Sequence, residues 1–308
     1  MEEKHAARCE EACALLPPRF RRAAMQLPEH QKRRTEEFRL RAGQPPTALL
    51  PEGEIPLPYF GADRCVSPEE LARMVDTLTD YSRYACTETL RHGYLCLPGG
   101  FRLGVCGTTV LRDGRVDGLR DISSLALRIV TERVGLADEV AGELFDGDRF
   151  CSTLILSPPG GGKTTLLRDL VRRLSCGGEA HPALRVAVID ERGELAVCAG
   201  GEPRMTLGTH TDVLSGCPKA VGIGMVLRAM NPQVIAVDEI TAAEDVAAMS
   251  QAANCGVALL ATMHAADPDE LVRKPLWTYL REAGVFTRTV TVEGAGNRRR
   301  CRTEEAPC

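Results

Sequence analysis

Aromatic residues, lysines and long apolar runs are all scarce in this sequence. No apolar stretch approaches the roughly 18 residues that a membrane-spanning helix needs, so the sequence predicts no transmembrane segment. The net charge of −4 provides no general electrostatic attraction to nucleic acid or to an anionic membrane. Only 4% of the residues are aromatic, which leaves few side chains on which bases could stack. We therefore expect no direct binding to nucleic acid.

Cysteine is not scarce, but its distribution argues against a disulfide framework or a zinc site. The 13 cysteines are an odd number and are scattered along the chain. Cys9 and Cys13 have helical i,i+4 spacing, without the second pair that would complete a zinc site. The N-terminal segment Met-Glu-Glu-Lys-His lacks the charged-then-apolar layout of a signal peptide. We expect buried, reduced thiols in a cytosolic protein.

The most informative segment is a short apolar strand, residues 154–156, followed by a loop of prolines and glycines and then by a helix. This order is the context of a phosphate-binding loop, in which backbone N–H groups and the helix N-terminus face phosphate oxygens. Lys163 is one of only five lysines in the chain, so its placement directly before a threonine is rarely a matter of chance. The predicted phosphate-binding residues are Ser157, Pro158, Pro159, Gly160, Gly161, Gly162, Lys163, Thr164 and Thr165.

A second apolar run, residues 234–237, ends in two carboxylates. Such a run is typical of a strand buried in a parallel sheet, and ligands of open α/β sheets lie at the carboxyl ends of the strands. We expect Lys163 to reach the β- and γ-phosphates of ATP, and Thr164 and Asp238 to hold Mg²⁺. Glu239 is predicted to orient and activate the attacking water.

Two further predicted strands end in residues that could join this site. Asp190 and Glu191 follow the apolar run that begins at residue 186, and we expect both to lie beside the bound nucleotide. His264 follows the run 257–262, where its imidazole or the Thr262 hydroxyl could contact the γ-phosphate. A single histidine after a strand is equally compatible with an ordinary hydrogen-bonded polar residue, so both interpretations stay open.

The chain is predicted to contain two domains and a tail. Residues 67–92 have a helix start signal, Ser67-Pro68-Glu69-Glu70, and residues 93–130 contain short β-type runs separated by glycine turns. Residues 1–135 are therefore predicted to form an α+β domain. In residues 136–293, strands alternate with helices, which predicts an α/β domain with a parallel sheet. Residues 294–308 read as a flexible C-terminal tail.

The motifs as a set resemble the secretion-ATPase superfamily, which includes the motors of type II and type IV secretion and of pili. The resemblance rests on the phosphate loop, Ile-Asp-Glu-Arg-Gly-Glu (189–194), Leu-Arg-Ala-Met-Asn-Pro (227–232), Val-Ile-Ala-Val-Asp-Glu (234–239) and Thr-Met-His-Ala (262–265). Segments 99–107 and 121–129 are similar to one of its families, the stage III sporulation AA proteins of endospore-forming bacteria. Ser157 replaces the first loop glycine, and Asp238 stands where many secretion motors have glycine.

This resemblance implies a RecA-like ATPase domain preceded by a smaller α+β domain, and a homo-oligomer in the form of a hexameric ring. It implies ATP and Mg²⁺ as cofactors. It also implies a cytoplasmic, peripheral position at the mother-cell membrane, beside membrane-embedded proteins of the same sporulation complex, where hydrolysis would power a channel to the forespore. Arg102 and Arg128 match segments of the family that face phosphate, so they are candidates for stabilising transition-state charge.

Two other classes of function are compatible with the phosphate loop. One is a nucleic-acid-dependent ATPase, for which the basic stretch from Arg19 to Arg41 is the only support. The other is a nucleotide-binding ring that serves as a scaffold and has negligible turnover. The complete set of acidic motifs favours hydrolysis over the scaffold.

Overall fold

The structure is a computed structural model that describes residues 2–58, 65–79, 90–91, 93–129, 132–199, 201–294 and 300–307. It divides into two compact units, residues 1–131 and residues 132–308. The predicted boundary, after residue 135, lies slightly further along the chain. No helix in the described part of the chain combines the length and apolarity that crossing a membrane requires.

The first unit places helices on one face of an antiparallel sheet. Its helices are α1 (Glu2–Ala14), α2 (Pro18–Met25), α3 (Glu29–Lys32) and α4 (Pro68–Leu78). Its strands are β1 (Glu37–Arg41), β2 (Thr47–Leu50), β3 (Gly53–Pro56), β4 (Tyr94–Leu97), β5 (Phe101–Arg112) and β6 (Arg115–Arg128), in the order β3-β2-β1-β6-β5-β4. Alternate residues such as Phe38 and Leu103 are buried with helix residues such as Leu16 and Leu71, as the two-residue period of a strand requires.

The predicted helix over residues 67–92 is present in its first part. Ser67 accepts a hydrogen bond from the backbone amide of Glu70, and the Glu70 side chain accepts one from the Ser67 amide. This reciprocal cap explains why α4 begins at Pro68. Residues 80–89 and 92 lie outside the described residues, so the rest of this prediction stays untested.

The second unit contains a seven-stranded sheet. Its strands are β9 (Thr153–Ser157), β10 (Val186–Asp190), β13 (Thr211–Ser215), β14 (Val234–Val237), β15 (Ala258–His264), β16 (Arg288–Glu293) and β17 (Arg300–Glu305). Their order is β13-β10-β14-β15-β9-β16-β17, and every neighbouring pair is parallel except β16 and β17. Two short hairpins lie outside it: β7 (Phe145–Asp146) with β8 (Arg149–Phe150), and β11 (Cys198–Ala199) with β12 (Glu202–Pro203).

Helices cover both faces of this parallel sheet. Helix α5 (Lys163–Cys176) packs its apolar residues on one face, together with Ile155 and Val188. The opposite face is covered by α6 (Lys219–Ala229), α7 (Ala243–Asn254), α8 (Pro268–Val272) and α9 (Pro275–Glu282). Burial on both faces explains the continuous apolar runs that made four of these strands visible in the sequence.

The prediction of a flexible tail over residues 294–308 is wrong for residues 300–305. These residues form β17, which pairs antiparallel with β16 from Arg300 opposite Glu293 to Glu305 opposite Arg288. The segment is polar because it is an edge strand whose exposed face meets solvent, so it lacks the apolar signal that predicts buried strands. The sheet is therefore mixed at this edge rather than wholly parallel.

Candidate functional site

The loop between β9 and α5 has the backbone of a phosphate cradle. Gly160 and Gly162 have φ angles of +73° and +101°, which non-glycine residues rarely adopt. At Gly161 the restriction is steric, because an added Cβ would lie 1.9 Å from Oγ of Ser157. The Ser157 hydroxyl, at a position with 0% exposure, donates to the carbonyl of Pro158 at 2.8 Å. Ser157 thus lies under the loop, where its hydroxyl is already hydrogen-bonded to the backbone.

Lys163 is the first residue of α5, and its ammonium group lies 2.9 Å from Nε2 of His264. His264 ends β15 and is paired in register with Ser157 at the end of β9. Burial lowers the pKa of Lys163, an effect that the carboxylates of Asp238 and Glu239 oppose. Lys163, the predicted phosphate-binding lysine, thus contacts a neighbouring imidazole. A bound anion at this position would raise the pKa of Lys163 again, because it stabilises the charged ammonium form.

Asp238 follows β14 and accepts hydrogen bonds from two threonine hydroxyls. Thr164 donates to Oδ2 at 3.1 Å, and the fully buried Thr262 donates to Oδ1 at 2.9 Å. The hydroxyl of Thr164 and the carboxylate of Asp238 are hard oxygen ligands of the kind that Mg²⁺ prefers. The described residues contain no group of three or more His, Cys, Asp or Glu side chains able to hold a metal ion by themselves. The residues present therefore fit Mg²⁺ that is shared with phosphate oxygens and water.

Glu239 lies between two basic groups. Its Oε2 is 3.3 Å from a terminal nitrogen of Arg192, and its Oε1 is 3.3 Å from Nε2 of His264. The ammonium group of Lys163 also lies 3.2 Å from Nδ1 of His264, so an imidazole protonated at Nε2 can accept from Lys163 through Nδ1 and donate to Glu239 at the same time. His264 therefore contacts both Glu239 and Lys163 directly.

Asp190 ends β10 at the carboxyl edge of the parallel sheet, as the sequence predicted. Its carboxylate is 2% exposed and accepts hydrogen bonds from the backbone amides of Glu194 and Ala196 at 2.8 Å and of Leu195 at 3.1 Å. Burial raises the pKa of this carboxyl, and the amide hydrogen bonds oppose the rise. Both oxygens accept hydrogen bonds inside the loop that follows β10, so Asp190 supports that loop, and its contact with nucleotide stays a prediction.

Arg168 supports the same loop from α5 and was not singled out by the sequence. It is 4% exposed and donates to the carbonyls of Leu195 at 2.8 Å and Glu194 at 2.6 Å. Its position in the sequence, directly after the apolar pair Leu166-Leu167, gives no signal of burial. Three of its four neighbours on the helix face, Thr164, Thr165 and Arg172, are polar, so nothing distinguishes it among 33 arginines.

Glu191 is joined to a buried lysine, and its contact with nucleotide stays a prediction. Oε2 of Glu191 forms a short ion pair with Nζ of Lys219, the first residue of α6. Lys219 is 7% exposed, which is unusual for a lysine unless it is paired. The sequence gave no functional indication for Lys219.

Arg102 and Arg128 belong to the first unit, where they are cross-strand neighbours on β5 and β6. The guanidinium of Arg102 stacks over the ring of Tyr94 at 3.9 Å, and Nε of Arg128 lies 3.3 Å from the buried carboxylate of Glu37. Together with Arg39 and Arg41 they line a cleft of about 310 Å³ over a floor that includes Gly104 and Ala126. This polar face of the sheet is the one opposite the helices.

The model of one protein family, described as sporulation stage III, protein AA, matches residues 6–303. The chain belongs to this family. It is 35% identical over 285 residues to stage III sporulation protein AA of Bacillus subtilis strain 168, a match that covers 92% of this chain and 91% of that protein. The family resemblance predicted from the sequence motifs is thereby confirmed.

The family member has the fold of secretion ATPases. The ATPase DotB of Legionella pneumophila superposes with a TM-score of 0.57 and 18% identity, covering 88% of this chain and 76% of that one. The pilus retraction motor PilT, solved with bound ADP, gives a TM-score of 0.59 and 18% identity, covering 88% and 78%. The predicted fold class, a RecA-like ATPase domain preceded by a smaller α+β domain, is confirmed.

Proposed function

We propose that this sporulation protein is the ATP-hydrolysing motor of a secretion-like membrane complex. The observation that carries the proposal is the convergence of chemically distinct groups at the carboxyl ends of three adjacent strands, β14, β15 and β9. These groups are a lysine, a threonine, two carboxylates and an imidazole: Lys163, Thr164, Asp238, Glu239 and His264. A lysine, a hydroxyl and a strand-end acid in this arrangement are the parts that phosphoryl transfer uses.

Each of these residues has a separate task in the proposed reaction. Lys163 leaves His264 and binds the β- and γ-phosphate oxygens, while the amides of the Gly160–Gly162 loop surround the phosphates. Bound Mg²⁺ supplies charge neutralisation at the phosphates, and Thr164 and Asp238 are the residues that would hold it. Glu239 accepts a hydrogen bond from the attacking water and orients it for in-line attack.

His264 contacts both Lys163 and Glu239. Protonated at Nε2, the imidazole donates to Glu239 and contacts the ammonium group of Lys163 through Nδ1. When phosphate draws Lys163 away, the imidazole loses its contact with the lysine and keeps its contact with the carboxylate. Arg192 contacts the other oxygen of Glu239 and restricts the same carboxylate from the opposite side.

Charge that develops on the γ-phosphate requires a guanidinium, and Arg102 and Arg128 remain the candidates for supplying it. Both arginines lie on the polar face of the first unit's sheet, where their guanidinium groups could contact the phosphates of a nucleotide bound against that face. We propose that a homo-oligomer, as a hexameric ring, completes each site. We further propose that it assembles at the cytoplasmic face of the mother-cell membrane with membrane-embedded proteins of the same complex.

The proposal is tested by phosphate release from the purified full-length chain with Mg-ATP at increasing protein concentration. We expect turnover that rises more steeply than protein concentration, is abolished in Lys163→Ala and is strongly reduced in Glu239→Gln, which still binds nucleotide. Lys274→Ala and Glu244→Gln are matched controls, because they alter exposed residues of the same unit. A well-folded Glu239→Gln protein with full activity would contradict the mechanism.

Two outcomes of this assay separate the alternatives. Wild-type protein that binds ATP and releases no phosphate, alone or with its membrane partners, would favour the scaffold. Stimulation of turnover by single-stranded nucleic acid, lost as salt is raised, would favour the nucleic-acid-dependent ATPase.

A further inference from the structure

The loops after β10 and β14 lie side by side, because these two strands are neighbours in the sheet. The first loop carries Glu191 and Arg192, and the second carries Asp238 and Glu239. At one point Arg192 and Glu239 join the loops directly. At a second point the loops are joined by Lys219, which belongs to neither of them.

Lys219 places one ammonium group between two carboxylates. Its Nζ forms a short ion pair with Glu191 and lies 3.9 Å from Oδ2 of Asp245. The side chains of Lys219 and Asp245 are both only 8% exposed, whereas that of Glu191 is 38% exposed. A lysine suits this place because its ammonium is a compact charge on a flexible stem, able to neutralise two acids at once.

Asp245 in turn organises the loop that carries Glu239. It is the third residue of α7, and its Oδ2 lies 3.3 Å from the backbone amides of both Thr241 and Ala242. These amides belong to the segment between Glu239 and the start of α7. The Asp245 carboxylate therefore helps to fix the backbone conformation of the segment between β14 and α7.

Two routes consequently lead from Lys219 to Glu239. One passes through Asp245 and the amides of the loop after β14. The other passes through Glu191 to the adjacent Arg192, whose guanidinium contacts the Glu239 carboxylate. Both routes restrain the carboxylate, and neither involves the phosphate-binding loop or Lys163.

We propose that Lys219 is a positioning residue that fixes Glu239 for activation of water, an inference that rests on the proposed ATPase activity. Removal of its charge leaves nucleotide binding intact and lowers the catalytic step. A displacement of about 1 Å in a catalytic group can cost roughly 100-fold in rate, so Lys219→Met should reduce kcat by about 10- to 100-fold. The Kd for ADP should change by less than about twofold, since the phosphate loop is not altered.

The decisive experiment is a double-mutant cycle on kcat in the full-length protein, with Lys219→Met, Glu239→Gln and the double variant. If Lys219 acts through Glu239, the double variant should be no slower than Glu239→Gln alone. Lys219→Arg keeps the charge and should retain more activity than Lys219→Met. Lys274→Met, which removes an exposed lysine paired with Glu270, is the matched control and should behave as wild type.

A purely structural role would give a different pattern. Partial unfolding would lower the number of ADP sites per chain together with kcat, and it would act equally in the Glu239→Gln background. Multiplicative losses in the double variant, or wild-type kcat in Lys219→Met, would overturn the inference while leaving the ATPase proposal in place.

A second measurement does not depend on turnover. Hydrogen exchange at the amides of Thr241 and Ala242 should be faster in Lys219→Met than in wild type and in Lys274→Met, because Asp245 loses its cationic partner. If wild-type protein releases no phosphate, the ATPase proposal fails, and this exchange still decides whether Lys219 holds the loop. Unchanged exchange at these two amides would overturn the inference.

Discussion

The ammonium group of Lys163 and Nε2 of His264 lie 2.9 Å apart, at the carboxyl edge of the sheet in the second unit. The two residues are separated by about a hundred positions in the sequence, and they meet because β15 lies directly beside β9. The lysine that would bind phosphate is thus paired with a group that also reaches Glu239 at 3.3 Å. In the proposed reaction, this imidazole contacts both the residue that binds phosphate and the residue that orients water.

The first prediction concerns this imidazole. His264→Ala should leave nucleotide affinity within about threefold of wild type, because the loop amides and Lys163 remain. It should lower turnover by about 10- to 100-fold, the range for loss of a group that orients a general base. Steady-state phosphate release together with ADP titration separates the two effects. A larger loss of affinity than of kcat would contradict the link to Glu239.

The second prediction concerns protons. Burial lowers the pKa of Lys163 below its ordinary 10.5 in the free protein, and bound phosphate should raise it again. Nucleotide binding should therefore take up protons between these two pKa values, and affinity should fall as pH rises through that window. Above about pH 8 the phosphates do not contribute, since the second pKa of a phosphate is about 6.

Calorimetry of ADP binding in two buffers of different ionisation enthalpy measures this uptake directly. Lys274→Met should show the same uptake as wild type. The sign for folding is the reverse of that for binding: charged Lys163 costs stability in the free protein below its lowered pKa, and this cost declines to zero as pH rises from that pKa to about 10.5.

The third prediction concerns the crowded glycine of the loop. Gly161→Ala should abolish nucleotide binding, because its Cβ would lie 1.9 Å from Oγ of Ser157. Ser157→Gly alone should bind nucleotide normally, since it removes a hydroxyl that donates to the carbonyl of the next residue, Pro158. The double variant should recover part of the binding lost in Gly161→Ala. The absence of any recovery would show that contacts with Pro158, at 3.1 Å, dominate the clash.

The fourth prediction distinguishes support from nucleotide contact. Arg168→Met removes the side-chain donor to the carbonyls of Glu194 and Leu195, and Asp190→Asn replaces a carboxylate that accepts from three amides. Each should lower the free energy of unfolding by about 2–4 kcal/mol. Chemical denaturation without nucleotide measures this loss. Unchanged stability combined with weaker ADP binding in Asp190→Asn would instead restore the nucleotide contact predicted from the sequence.

The fifth prediction concerns the arginines of the first unit. If a neighbouring chain supplies the guanidinium, Lys163→Ala and the double variant Arg102→Ala/Arg128→Ala should each be inactive alone. Mixed together, they should regain activity, because some junctions then combine an intact phosphate loop with intact arginines. If the two variants are well folded and associate but their mixture is inactive, the guanidinium must come from the same chain as the phosphate-binding loop.

Much of the second unit could be predicted because its central strands are buried on both faces. The runs that became β9, β10, β14 and β15 are almost wholly apolar, and each ends at the sheet edge where polar residues follow. β13 and β17 were not predicted, because Thr211–Ser215 and Arg300–Glu305 are edge strands with exposed, polar residues. A continuous apolar run indicates a strand that is buried on both faces, and these two strands are only partly buried.

The candidate site divides in the same way. Lys163, Thr164, Asp238 and Glu239 could be assigned from the sequence, since each belongs to a short local pattern whose backbone geometry the chemistry requires. Arg168 and Lys219 could not, because their importance comes from partners 26 to 28 residues away along the chain. Asp190 and Glu191 were assigned to the nucleotide from their place at a strand end, and only the structure shows their partners, which are the amides of residues 194–196 for Asp190 and Lys219 of α6 for Glu191.

The sequence by itself determined that this protein has a phosphate loop, an acidic strand end and the motifs of its family, because those features depend on residues close together in the chain. Only the tertiary structure decided that β15 lies between the acidic strand and the phosphate-loop strand, which brings His264 to both Lys163 and Glu239. It also decided which of many charged residues are buried and paired. Strand order and burial arise from the packing of distant segments, which no local pattern of side chains specifies.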